Sequence, residues 1–138
     1  MLFRSVLAVQ KNITLQLKED HAADVLADKN QLKRMVLNIL DNAIKYTPPG
    51  GTISVDLRWQ KDSADIDITD TGIGIPENEL PHIFDRFYRV DKSRSTIGFG
   101  LGLSIAQSLA MAHGGKIYAK ANVPQGTIFT ITLPIKPN

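Results

Sequence analysis

The chain has 138 residues, enough for one domain with a single core, and contains no cysteine, which excludes a disulfide framework or a thiolate metal site. Its formal net charge of +2, without any run of basic residues, argues against nucleic acid as a partner. No stretch approaches transmembrane length and the N-terminus lacks the pattern of a signal peptide, so the chain reads as soluble and intracellular, without direct membrane contact.

Residues 1 to about 9 read as the tail of a helix or linker, too short to fold alone. Polar and apolar residues alternate over Asn12–Lys18, which predicts a half-buried strand, and Val25-Leu26-Ala27 suggests a short second one. A helix is expected from Asn30 to Tyr46, stopped near Pro48-Pro49-Gly50-Gly51. Two alternating runs, Thr52–Arg58 and Ala64–Thr69, look like a hairpin. Pro76 opens a second helix expected to reach Phe87, and Asp91–Ile97 is a polar connection. The third helix, Leu101–His113, meets a C-cap at Gly114-Gly115. Lys116–Ala121 and Thr127–Leu133 form a final hairpin turning at Pro124-Gln125-Gly126. These elements predict an α/β (α+β) two-layer sandwich. Its mixed, largely antiparallel sheet has about five strands, with three helices covering one face.

The run Gly98-Phe99-Gly100-Leu101-Gly102-Leu103-Ser104 leads straight into the third helix. Alternate glycines let a ligand approach the backbone, and the helix start offers unpaired N–H groups and a positive dipole end. A phosphate or other anion site is the chemistry such a run suits, although a flexible loop capping a helix has the same outline.

On a helical wheel Leu32, Val36, Ile39, Leu40 and Ala43 face the core. Asn38, Asn42 and Lys45, spaced i, i+4, i+7, share the opposite side. A solvated face is normally built from Glu, Lys, Gln and Arg, whereas asparagine is a poor residue in mid-helix. Two aligned carboxamides beside a lysine suit Mg²⁺ and the phosphate it accompanies.

The turn Asp70-Thr71-Gly72-Ile73-Gly74-Ile75-Pro76 ends a strand in which Ile66, Ile68 and Asp70 share a face. Asp70 either caps the turn as an Asx motif or sits buried and needs a donor. Its place at the end of an apolar row favours the second, and the exocyclic amine of adenine is such a donor. Thr127, on the row of Phe129 and Ile131, is placed to bring a hydroxyl near the same pocket.

Within Phe84-Asp85-Arg86-Phe87-Tyr88-Arg89-Val90-Asp91, Phe84 and Phe87 are expected to pack in the core. Arg89, Lys92 and Arg94 precede the glycine run, where cations can meet phosphates. His21, His82 and His113 lack companions at ligand or nucleophile spacing and read as structural or solvated.

Four segments occur in order: Asn-Ile-Leu-Asp-Asn-Ala-Ile-Lys-Tyr (38–46), the 70–76 turn, Ile-Phe-Asp-Arg-Phe-Tyr-Arg-Val-Asp (83–91) and the 98–104 glycine run. Together they closely resemble the N, G1, F and G2 boxes of the catalytic ATP-binding domain of bacterial sensor histidine kinases. Those kinases share a superfamily, and its Bergerat fold, with gyrase, Hsp90 and MutL. The resemblance spans about Ile13 to Pro134. It implies that residues 12–138 are the ATP-binding domain and residues 1–11 a remnant of a linker or dimerisation helix. It also implies that Asn42 with Asn38 holds Mg²⁺, and that Lys45 and Tyr46 approach the phosphates or ribose. Asp70 would read the adenine amine in a pocket shaped by Gly72, Gly74 and Ile75, with Thr127 beside it. Arg89 and Arg94 would meet the terminal phosphates. Gly98, Gly100 and Gly102 would hinge an ATP lid bordered by Leu101 and Leu103. Phe99 stands where the family commonly has threonine or another small residue, and the link between Arg94 and Gly98 is short, which implies a compact lid.

The resemblance further implies transfer of the γ-phosphoryl group of ATP to a histidine. In the family's ATPases a glutamate one turn before the Mg²⁺-binding asparagine activates water; here that position is Asn38, whose amide cannot act as a base. The family's phosphoacceptor histidine lies in a His-Glu/Asp context followed by a proline, which none of the three histidines has. The acceptor is therefore expected on a separate helical dimerisation domain of a homodimeric parent, with a response-regulator receiver domain downstream. The domain is expected in the cytoplasm, its parent in some cases anchored in the inner membrane. Alternative readings are a conformational ATPase of the gyrase or Hsp90 kind, or a degenerate nucleotide-sensing or protein-interaction module.

Overall fold

Residues that alternate apolar and polar along the chain build a sheet with one greasy and one wet face, and this asymmetry organises the computed structural model, which describes residues 14–19, 29–88 and 102–134. In chain order the elements are β1 (Thr14–Glu19), α1 (Lys29–Tyr46), β2 (Thr52–Trp59), β3 (Ser63–Asp70), a 3₁₀ helix (Glu77–His82), α2 (Gly102–Ala112), β4 (Lys116–Ala121) and β5 (Thr127–Pro134). The five strands lie in the order β1-β2-β3-β5-β4. β1 pairs parallel with β2, across the α1 crossover, and the other pairs are antiparallel. The expected mixed, largely antiparallel sheet of five strands is present.

Register lines up one apolar row after another. Val55 faces Ile68, Ile68 faces Phe129, and Ile66 and Ile117 both face Ile131. Onto this surface α1 presents Met35, Ile39, Leu40 and Ala43, all at 0% exposure. Met35 lies deeper than Leu32 and Val36, which are only half-buried, so the helix is rolled slightly from the face its pattern suggests. Burial of each large aliphatic side chain contributes about 1.5–3 kcal/mol. α2 packs on α1, and its buried Ala106 and Ala110 keep that approach close.

The opposite face of the sheet is polar. Arg58 on β2 forks onto Asp67 of β3 and lies 3.2 Å from Asp65. Thr130 Oγ1 donates to Asp67 at 2.7 Å, and Thr132 Oγ1 to Asp65 at 2.8 Å. Burial would raise the Asp67 pKa, but the Arg58 and Thr130 hydrogen bonds outweigh it and hold the carboxyl below its ordinary range.

α1 closes with the Thr47 hydroxyl donating to the Ala43 carbonyl at 2.7 Å. α2 ends in a Schellman arrangement: Gly114 has φ +77°, and the Gly115 N–H reaches the Ala110 carbonyl at 2.8 Å. His113 Nδ1 lies 2.7 Å from the Leu109 carbonyl and serves the same helix end.

Two expectations change. The segment after Pro76 is a single 3₁₀ stretch ending at His82, not an α-helix to Phe87, because Pro81 lies inside it and supplies no N–H. Two α-helices and this 3₁₀ helix therefore make up the helical layer among the described residues. Phe84 does reach the core, edge-on to Phe129 at 6.2 Å, but Phe87 is 59% exposed. Without a continuing helix the two rings do not share a face, and Phe87 itself takes φ +66° and turns the chain. The strand suggested at Val25-Leu26-Ala27 lies outside the described residues.

Candidate functional site

β3 carries Ile66 and Ile68 into the core, and the same parity directs Asp70 to that side, where it is 4% exposed. Its Oδ1 accepts two main-chain N–H groups, from Gly72 at 2.9 Å and from Thr127 at 3.1 Å. The first is the Asx turn. The second reaches across to the neighbouring strand, so capping and burial coexist. Among the described residues Oδ2 accepts no hydrogen bond. Burial pushes the Asp70 carboxyl pKa up, and the Gly72 and Thr127 amides only partly oppose that.

The turn after Asp70 docks on the end of α1. The Ile73 N–H donates to the Tyr46 carbonyl at 3.1 Å, and a Cβ at position 72 would stand 2.4 Å from that same oxygen. Only glycine permits this approach, and through it the last turn of α1 borders the Asp70 turn. Along α1, Asn38, Asn42 and Tyr46 are half-buried, while Lys45 is exposed, its Nζ 5.4 Å from the centre of the Tyr46 ring. On the other flank Gly126 has φ +110°, and a Cβ there would meet the Asp70 carbonyl at 1.9 Å. Gly74 faces this glycine, its Cβ position 3.5 Å from the Gly126 carbonyl, and Ile75 packs half-buried against the core.

Thr127 meets Asp70 through its main chain. Its main-chain N–H, not its hydroxyl, reaches Asp70. The β3–β5 ladder ends at the pair Thr69–Ile128, leaving the next amide of β5 available to a carboxylate. Sequence reasoning treated Gly126 as a turn residue and passed over Asn122, whose side chain touches Asp70 from the β4–β5 turn. No local pattern announces either contact, since both depend on strand order.

Gly102 is the first residue of α2, exposed, with nothing within 4 Å of where a Cβ would stand. Leu103 is half-buried against the core. Arg89, Arg94, Gly98, Gly100 and Leu101 lie outside the described residues.

The donor set bears on what can bind. Among the described residues no three His, Asp or Glu side chains converge as a metal cage. The carboxamides of Asn38 and Asn42 make no described hydrogen bond and suit a cation that completes its shell with water and phosphate oxygens. The second Asp70 oxygen, outside the two amide bonds, suits a flat base presenting an amine.

The chain is thus a two-layer sandwich with a buried carboxylate at the end of a central strand, flanked by glycine turns and a carboxamide-bearing helix. The chain belongs to the family described as Histidine kinase-, DNA gyrase B-, and HSP90-like ATPase, which matches residues 27–137. Its relatives are sensor histidine kinases. It is 43% identical over 110 residues to the adaptive-response sensory kinase SasA of Synechococcus elongatus, an alignment covering 79% of this chain and 28% of SasA. The mycobacterial sensor histidine kinase MprB superposes with TM-score 0.84 at 36% identity, covering 97% of this chain and 91% of that one. Full-length ShkA in complex with AMPPNP superposes with TM-score 0.87 at 27% identity, covering 99% of this chain and 28% of ShkA. The chain thus spans less than a third of the full-length kinases it matches. Among the described residues no helix is long and apolar enough to cross a membrane.

Proposed function

We propose that this domain binds Mg²⁺–ATP and donates the γ-phosphoryl group to a histidine on a separate dimeric helical domain, for onward transfer to a response-regulator aspartate in the cytoplasm. The observation that carries the reading is the Asp70 carboxylate: 4% exposed, Oδ1 committed to two amides, and Oδ2 without a described donor. A largely buried carboxylate with one oxygen left over calls for a hydrogen-bond donor, and the adenine amine supplies one.

In this reading Asp70 orients the base, while Gly72 and Gly74 keep its approach to the backbone clear. Asn38 and Asn42 hold Mg²⁺, which when bound neutralises phosphate charge. Lys45, Arg89 and Arg94 meet the phosphates, and Tyr46 lies toward the ribose. Gly98, Gly100 and Gly102 hinge a lid over the nucleotide, bordered by Leu101 and Leu103. Phosphoryl transfer needs positioning and charge neutralisation more than covalent help, and this set supplies both.

Position 38 argues for transfer over hydrolysis. An asparagine amide cannot take a proton from water, so the γ-phosphoryl group survives until an acceptor arrives. The test mixes this chain with γ-labelled ATP, with and without a histidine-bearing dimerisation domain from a related kinase. Label on that histidine with little free phosphate is expected. Rapid hydrolysis by the chain alone would instead favour a conformational ATPase, and no nucleotide binding at millimolar ATP would favour an interaction module.

A further inference from the structure

The β4–β5 turn reaches the back of the adenine-reading residue through one side chain. Asn122 Nδ2 donates to the main-chain carbonyl of Asp70 at 3.0 Å, across 52 positions of sequence. Its Oδ1 accepts the Val123 N–H at 3.0 Å, and its own N–H donates to the Gly126 carbonyl at 3.0 Å. The orientation of the amide is dictated by its partners, since a carbonyl can only accept and a main-chain N–H can only donate.

These bonds have distinct tasks. Oδ1 and the Asn122 N–H close the turn, whereas Nδ2 alone leaves it to hold β3. The β3–β5 ladder ends at Thr69–Ile128, one residue short of Asp70, and the Asn122 amide supplies a donor beyond that point. The same turn carries Gly126, whose backbone sits against the Asp70 carbonyl, and Thr127, whose N–H fixes Oδ1. A carboxylate clamped at its main chain and at one oxygen has little freedom left in where it presents the other.

We propose that Asn122 is a positioning residue for base recognition: by anchoring the Asp70 main chain to the β4–β5 turn, it fixes the direction in which the Asp70 carboxylate meets the adenine amine. This rests on the reading of Asp70 as the adenine acceptor. Asn122 is half-buried and does not itself contact the base in this scheme. Its role is carried through Asp70.

The variant that separates this role from simple turn-building is Asn122→Asp. It is isosteric, keeps an acceptor for the Val123 N–H, and replaces the donor toward Asp70 with a second acceptor. Asn122→Ser is the neutral companion, too short to span the gap. Adenosine is the probe, because it carries no phosphate for a new charge to repel. Both variants are expected to bind adenosine about five- to ten-fold more weakly, the worth of one buried hydrogen bond. Asn122→Asp is expected to melt within about 4 °C of the parent. Asp70→Asn, titrated alongside, is expected to lose more. Parental adenosine affinity in both Asn122 variants, with a loss in Asp70→Asn, overturns the positioning role alone. Parental affinity in Asp70→Asn overturns the adenine reading and this proposal with it.

Discussion

The N–H of Thr127 donates to Oδ1 of Asp70 at 3.1 Å although 57 positions separate them in sequence. The carboxylate is therefore complete only once β5 has been laid beside β3, and among the described residues it is held by amides, not by a cation. Asp67, three residues earlier on the opposite face, is held by Arg58 instead. One strand thus carries two aspartates whose pKa values move in opposite directions: Asp70 up through burial, Asp67 down through its partners.

For Asp70 the raised pKa means that the folded chain binds a proton more tightly than the unfolded chain. Its ionised form is therefore a burden on stability above that pKa, relieved as pH falls through it. Asp70→Asn keeps an oxygen for both amides and carries no charge. Without nucleotide the variant is expected to melt no lower than the parent at pH 7.5. Any gain should shrink as pH is lowered through the raised pKa, as followed by thermal denaturation between pH 7.5 and 4.

Asp67 has the opposite linkage. Its lowered pKa contributes stability above the ordinary carboxylate range, and that contribution is lost as pH falls through the folded value. Asp67→Asn is expected to cost about 1 kcal/mol at pH 7, a modest figure because Arg58 is half exposed and solvent screens the pair. The deficit should shrink below the ordinary carboxylate range and weaken at high salt, both readable from denaturant midpoints.

Two glycines with positive φ separate backbone strain from steric clash. Gly50 has φ +89° and open space, so Gly50→Ala is expected to cost about 1 kcal/mol. Gly126 has φ +110° and would drive a Cβ to 1.9 Å from the Asp70 carbonyl. Gly126→Ala is expected to cost about 3 kcal/mol or more and to weaken adenosine binding as well, whereas Gly50→Ala leaves binding unchanged.

Asn42→Ala tests the carboxamide face of α1. The variant is expected to lose the Mg²⁺-dependent part of ATP affinity while binding adenosine normally. A titration with and without Mg²⁺ separates the two. An unchanged Mg²⁺ dependence would remove Asn42 from the metal site.

Much of this was legible in the chain because the signals are local. Period-two alternation marks β2, β3 and β5, and 3.6-residue spacing marks α1. The parity of Ile66, Ile68 and Asp70 puts the Asp70 carboxylate on the core side. What escaped depends on partners far away in sequence. The parallel β1–β2 pairing, the Thr127 amide, the Gly126 approach and the Asn122 anchor all follow from strand order, which no short window contains. Phe87 was misread for a local reason. Spacing of three implies a shared face only on a continuous helix, and Pro81 together with the left-handed φ at Phe87 removes that helix.

Whether the Asp70 carboxylate recognises adenine is decided by parallel titration of ATP and GTP into the parent chain and Asp70→Asn. The parent is expected to prefer ATP by at least about 100-fold, because guanine offers a carbonyl where adenine offers the amine. Asp70→Asn is expected to lose about 100-fold in ATP affinity, since an amide replaces a charged acceptor. Parental ATP affinity in Asp70→Asn, or equal affinity of the parent for ATP and GTP, would rule out adenine recognition by Asp70.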